Sequence, residues 1–398
     1  MKRGLLDTII LLMKKKERKP ETPAANHISG NRQKQILENQ PPTTGQITVT
    51  DTSDEQEPIR LQPNIGMTES KYVRREKPKK EIIEWVEGSE RKGQKIKPVK
   101  GFSNNNTYVS LNEKPTWFIV SASATGGSHA AGNIPCQDNH YCESINGQWG
   151  IAISCDGAGS AANSHIGARY VATEIGLPYF KERIYKNRWI SDNRLPAKEE
   201  WYFEARAACA DIYMSLEKFA AYHKMPLDSL ACTLIVVIYS PLGLLVTHIG
   251  DGRAGYCNEF GEWKSVLTPH KGQEANQTIF ITSKPWLTDH DLILSGKPVP
   301  ESNVISEKPA AFTVMTDGCE THSFECSKMN ERTNKWYDPN LPYAKFFNPL
   351  VNNLRSMYES NTPPEVTSEK WIQFIEEGST GLKKETDDKT MILGILIN

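Results

Sequence analysis

Three times in this chain an apolar run ends in an acid followed by glycine: Ile151-Ala152-Ile153-Ser154-Cys155-Asp156-Gly157, Val246-Thr247-His248-Ile249-Gly250-Asp251-Gly252 and Phe312-Thr313-Val314-Met315-Thr316-Asp317-Gly318. Each run has the length and composition of a buried strand. A carboxylate at a strand end is held by rigid backbone, and the following glycine lets the chain turn sharply with its carbonyl free to face a ligand. A single Asp-Gly is an ordinary turn signal. Several such acids converging make a hard-oxygen site suited to magnesium or manganese.

The texture of the chain changes near residue 115. From about 14 to 113 it is rich in Pro, Thr, Gln, Asn and Lys and keeps neither a helical nor a strand period. Such a segment cannot bury enough apolar surface to offset its ordering entropy, so a disordered arm is expected over 1–113 and a folded domain over 114–398. Two apolar islands, 5–13 and 82–86, lie within the arm beside basic clusters, which suits contact with a membrane surface or a partner. Strands are expected at 117–124, 149–155, 231–239, 244–249, 253–258, 311–316 and 391–397. Ser240-Pro241-Leu242-Gly243 and the turn at 258–261 read as hairpin connections. Helices are expected at 163–180 and 197–223, where Trp201, Ala205, Ala208, Ile212, Leu216 and Phe219 repeat at helical spacing, and at 348–358 and 368–377. Many strands, few long helices and no strict βαβ alternation point to an α+β layered domain.

Charge separates the same two parts. Of 47 basic and 48 acidic side chains, residues 1–100 carry 21 and 14, leaving 26 and 34 for the rest. The opposite signs let the arm reach an acidic partner or fold back, and an acidic domain argues against nucleic acid. No stretch approaches the roughly 20 apolar residues of a spanning helix. The apolar stretch at 5–13, broken by Asp7 and followed by Lys14, Lys15 and Lys16, does not read as a secretory leader. Eight cysteines without a C-x-x-C pair are expected to be reduced thiols of a cytoplasmic protein.

Two further acidic segments complete a pattern: Gln137-Asp138, after the glycine-rich Thr125-Gly126-Gly127-Ser128-His129, and Thr386-Asp387-Asp388-Lys389-Thr390 before the last strand. The ordered set of Gln-Asp, Asp-Gly-Ala-Gly, Gly-Asp-Gly-Arg, Thr-Asp-Gly and Asp-Asp-x-Thr resembles the metal-dependent protein phosphatases of type 2C, bacterial branch, across 115–398. The resemblance implies a sandwich of two antiparallel β-sheets flanked by α-helices, with two Mn2+ or Mg2+ ions at one end. It implies Asp156 as the bridging carboxylate, the Gly157 carbonyl as a ligand, and Asp138, Asp317 and Asp387 as further ligands. Asp228 stands like the acid of a third, looser ion, Asp388 like the residue that is usually Asn, and Asp251 and Arg253 like a supporting pair. The implied activity is hydrolysis of phosphoserine and phosphothreonine in proteins by metal-activated water, carried by Asp156 and Asp317. A phosphorylated protein substrate and an opposing Ser/Thr kinase are the implied partners, and a monomer is expected. The other readings are a phosphohydrolase of small phosphoesters and a catalytically weak phosphoprotein-binding module.

Two positions depart from the family. The arginine that commonly precedes the first acid is missing from Ala130-Ala131-Gly132-Asn133-Ile134-Pro135-Cys136, and His129 is the candidate replacement contact to phosphate. Ala158 occupies a place where some members have His. Cys136, Cys155 and Cys319 lie near the proposed acids, but none heads a Cys-x5-Arg phosphate loop, so they read as structural thiols.

Overall fold

The computed structural model describes residues 115–271 and 278–397, all of them in one compact unit. The arm expected over 1–113 and its two islands lie outside the described residues. In chain order the principal elements are β1 (Thr116–Ala124), α1 (Gly127–Ala131), β2 (Asn139–Ser144), β3 (Gly150–Cys155) and α2 (Ser164–Arg169). A π-helical stretch (Tyr170–Ile175) leads from α2 into α3 (Gly176–Lys186), followed by α4 (Lys198–Tyr222), β4 (Leu234–Ser240), β5 (Gly243–Ile249), β6 (Arg253–Asn258) and β7 (Trp263–Ser265). The chain closes with β8 (Glu301–Ile305), β9 (Pro309–Met315), α5 (Ala344–Glu359), α6 (Pro364–Glu377) and β10 (Lys389–Ile397).

The strands form two five-stranded sheets in the orders β1-β10-β9-β6-β7 and β8-β5-β4-β3-β2, antiparallel throughout. Side-chain parity explains why they stack. On β4, Ile235, Val237 and Tyr239 face the other sheet together with Ala152 of β3 and Val246 of β5, and there they meet Phe312 and Ile392. The alternate residues Leu234, Val236 and Ile238 pack with Ile151 and Ile153 against α3 and α4, through Phe180, Trp201, Ala205 and Ile212. Met391, Leu393 and Ile395 of β10 do the same on the opposite side, against Phe346, Leu350, Trp371 and Phe374 of α5 and α6. Both faces of each sheet are covered, so the strands read as continuous apolar runs. The result is helices, sheet, sheet, helices, the α+β sandwich that the resemblance implies.

Edge strands account for most of what the pattern does not reveal. β2 (Asn-His-Tyr-Cys-Glu-Ser) and β8 (Glu-Ser-Asn-Val-Ile) each lie at a sheet edge with only partial burial, and their polar sequences carry no apolar run. Among the described residues, no helix is long and apolar enough to cross a membrane. All eight cysteines are free thiols.

Candidate metal centre

The register of both sheets brings the acid-bearing ends together. Cys155 closes β3 opposite Asn139, Met315 closes β9 opposite Arg253 and Met391, and Ala124 closes β1 opposite Lys389. The residues just beyond these ends are Asp138, Asp156, Asp251, Asp317, Asp387 and Asp388. Five chain segments therefore meet at one end of the sandwich.

Carboxylate oxygens of Asp156, Asp251 and Asp317 all lie within 4.8 Å of one another. Asp138, 4% exposed, lies behind them and accepts a 2.7 Å hydrogen bond from Thr316 Oγ1. Burial is the main cause that pushes these acids up, and their mutual repulsion adds to it. Asp138 is pushed up from 3.8 to about 8, first by burial, with the charges of Asp388 and Asp317 adding. Asp317 is pushed up to about 7 by burial and then by Asp251 and Asp387. Asp156 is held well above the usual carboxylate range by burial, then by Asp138, Asp317, Asp251 and Asp387.

Asp251 is thus a full member of the cluster, a larger part than the supporting role its hairpin suggests. The signal was present in its Gly-Asp-Gly, which repeats the grammar of the other two. Asp387 is exposed on the rim and reaches Asp156 and Asp317 through its charge. Asp228 is exposed on the single turn Leu227–Leu230, outside the three-carboxylate cluster, while the segment that follows it pairs with the Asp156 loop. Thr233 N donates to Asp156 O (2.8 Å) and Ala158 N to Ala231 O (2.9 Å). These bonds flank the Gly157–Cys232 bridge, so the Gly157 carbonyl points away from that pairing and is free for a ligand. A Cβ at Gly157 would lie 2.5 Å from Gln137 O, so the loop closes only around glycine.

Asp388 has a different task from its neighbour. Only 2% exposed, it accepts from Gly126 N at 2.7 Å and Gln137 N at 2.6 Å, and it pairs with His129 Nδ1 at 2.9 Å. Its loop is clamped by glycines: a Cβ at Gly318 would lie 1.9 Å from Asp388 O, and one at Gly126 would lie 2.2 Å from the Asp387 carbonyl carbon. His129 sits on α1 within reach of the charges of both Asp387 and Asp388. Arg253, fully buried, extends from the same end to Glu320 and Asp338, 2.7 Å from each, and anchors the segment beyond β9. Asn163, just before α2, makes no side-chain cap and donates its amide to Ser229 Oγ at 3.1 Å.

The donor set fits divalent cations of the magnesium and manganese class. It is all oxygen, it collects several negative charges in a desolvated recess, and nothing within the cluster neutralises them. The neighbouring thiols are unsuited to nucleophilic attack, since burial pushes Cys136, Cys155 and Cys319 well above the ordinary thiol range.

These acids give the metal-free chain a stability contribution whose pH dependence has an unusual sign. Below about 4 these acids are protonated in both the folded and the unfolded chain. As pH rises, the unfolded chain releases its protons first, so the folded state binds more protons and becomes relatively less stable until pH passes about 7 for Asp317 and about 8 for Asp138. Buried His140, His248 and His270 act oppositely below about 6.5, so chelator-treated protein is expected to lose urea resistance between about pH 6.5 and pH 8, and added Mn2+ should remove the loss. Equal resistance at both pH values in chelator would contradict the buried repulsion.

The family described as Protein phosphatase 2C matches residues 125–363. The chain is also 27% identical over 291 residues to serine/threonine-protein phosphatase 3 of Escherichia coli (strain K12), a match covering 70% of this chain and 98% of that protein. Similar solved structures include a bacterial serine phosphatase (12% identity, TM-score 0.39, covering 72% of this chain and 98% of that one). The catalytic domain of the serine threonine protein phosphatase PstP in complex with two manganese ions is another (14% identity, TM-score 0.38, 72% and 100% covered). With its family match spanning more than half of its length, the chain belongs to the protein phosphatase 2C family.

Proposed function

We propose that the acidic end of the sandwich is the active site of a metal-dependent serine/threonine protein phosphatase, with Asp138, Asp156, Asp317, Asp387 and the Gly157 carbonyl as its metal ligands. Asp251 joins this set on geometry, and Asp228 is the candidate for a third, looser ion. The observation that carries the reading is the meeting of Asp156, Asp251 and Asp317, contributed by three strand ends, with buried Asp138 behind them. When bound, two divalent cations lower the pKa of water and neutralise charge on the transferred phosphoryl group. The protein's own part is to hold its carboxylates rigid at strand ends, to fix Asp138 through Thr316, and to keep its thiols out of the chemistry.

His129 is the proposed phosphate contact. Its Nδ1 is taken by Asp388, which sets the ring orientation and leaves Nε2 for substrate. His129→Ala is expected to raise KM for a phosphopeptide about tenfold, the loss of roughly one charge-assisted hydrogen bond, with a smaller change in kcat. An unchanged KM would remove His129 from the substrate site.

The substrates are phosphorylated proteins. An opposing Ser/Thr kinase, a cytoplasmic setting, a monomeric state and an arm that contacts an acidic partner or membrane surface belong to the same proposal, supported by the free thiols and by the charge split of the chain. The deciding experiment is hydrolysis of phosphoserine and phosphothreonine peptides by the full chain with and without Mn2+. Manganese-dependent turnover is expected, and its absence would overturn the reading.

A further inference from the structure

A second group of metal-ligating side chains lies apart from the carboxylates, in a different chemical style. His248 stands on β5, His270 in the loop after β7 and Glu301 at the start of β8. One ligand atom from each lies within 4.8 Å of the other two, and the residues are 0%, 0% and 4% exposed.

Each imidazole uses its Nε2 on a backbone carbonyl, His248 on Thr268 O at 2.9 Å and His270 on Pro298 O at 3.2 Å. A carbonyl can only accept, so both Nε2 atoms carry the proton and both Nδ1 atoms present a lone pair. Neither Nδ1 has a hydrogen-bond partner. The rings stack 4.2 Å apart at 7°, and His248 Nδ1 stands 3.9 Å from Glu301 Oε2. Two buried Nδ1 lone pairs thus go unpartnered in a place that also holds a carboxylate oxygen, and a buried polar atom without a partner is destabilising. Protonation is a poor remedy, since burial pushes His248 well down and His270 to about 4.

We propose that His248, His270 and Glu301 form a second metal site that takes one divalent transition ion of the zinc class, through two Nδ1 atoms and one carboxylate oxygen. The carbonyls at both Nε2 atoms set the tautomer that leaves each Nδ1 free to bind, as they do in metal-ligating histidines. Glu301 is held likewise, accepting from Thr268 N at 2.7 Å and Asn303 Nδ2 at 2.9 Å. Zinc bonds of about 2.0–2.1 Å lie in the plane of each imidazole, so binding requires the two stacked rings to tilt toward a common point as the three atoms draw together by roughly an ångström. Imidazole ligands favour zinc over magnesium, so the two sites sort ions by chemistry. The ion's role is structural: His270 N donates to Gly250 O at 2.8 Å, the residue before Asp251, so the ion would brace the turn that carries Asp251 into the carboxylate cluster.

The test uses the full chain stripped by chelator, equilibrated with excess Mg2+ and one equivalent of Zn2+, desalted and analysed for metal. About one zinc per wild-type chain is expected, retained in Asp156→Asn and weakened at least tenfold in His270→Ala and His248→Gln. Zinc absent from the wild type, held equally by the histidine variants, or lost only with Asp156→Asn would overturn the site. X-ray absorption of the zinc-loaded wild type requires no variant to fold. It should show imidazole scattering, and an all-oxygen shell would refute the proposal.

Discussion

Asp156→Asn is expected to lower Mn2+-dependent turnover on a phosphopeptide by about 10³-fold or more while leaving the metal-free protein more stable than the wild type. Asp156 directly follows β3, at the point where the charges of Asp138, Asp317, Asp251 and Asp387 all reach it. The amide keeps the size of the side chain and one acceptor oxygen but removes the charge that would hold the ions. Stabilisation of transition-state charge by such ions is worth several kcal/mol, and each 1.36 kcal/mol is tenfold in rate, which sets the scale of the loss. Without metal the same substitution removes one member of a set of mutually repelling, desolvated carboxylates, so the melting temperature in chelator should rise. Turnover close to wild type would displace Asp156 from the centre. A variant that loses activity together with stability in chelator would show that no repulsion was stored there.

The strand ends of the centre were legible because their grammar is local: an apolar run, an acid and a glycine lie within seven residues, and register does the rest. Asp251 carries the same grammar, yet its place beside Asp156 and Asp317 is not legible from it, since convergence of separate hairpins and loops is a property of register between sheets. β2 and β8 escaped because an edge strand needs only one covered face and shows little apolar period. The π-helical stretch at Tyr170–Ile175 left no mark, since its residues keep helical composition. His248, His270 and Glu301 share no spacing at all. Only the pairing of β5 with β8, which sets Glu301 opposite His248, brings two of them together.

Asp388→Ala is expected to destabilise the folded chain by about 3–5 kcal/mol in urea denaturation with metal present, the scale for removing one partner from a buried charged network. The carboxylate serves three donors from two other segments: Gly126 N before α1, Gln137 N beside Asp138, and His129 Nδ1. Its loss leaves two backbone amides buried without acceptors and unties the loop that carries Asp387. Asp388→Asn should fall between the two, because its one amide oxygen can satisfy one backbone donor while its NH2 group meets the other donor head-on. Activity should follow, since Asp138 and His129 are both positioned through the same carboxylate. Had Asp388 been a metal ligand like its neighbour, its replacement would lower metal affinity and spare the stability of the chelated protein. As a tie between segments it should cost stability with or without metal, so melts of Asp388→Ala in chelator and in Mn2+ separate the two roles: a deficit in both assigns it to the loop, and a deficit in Mn2+ alone assigns it to the ion.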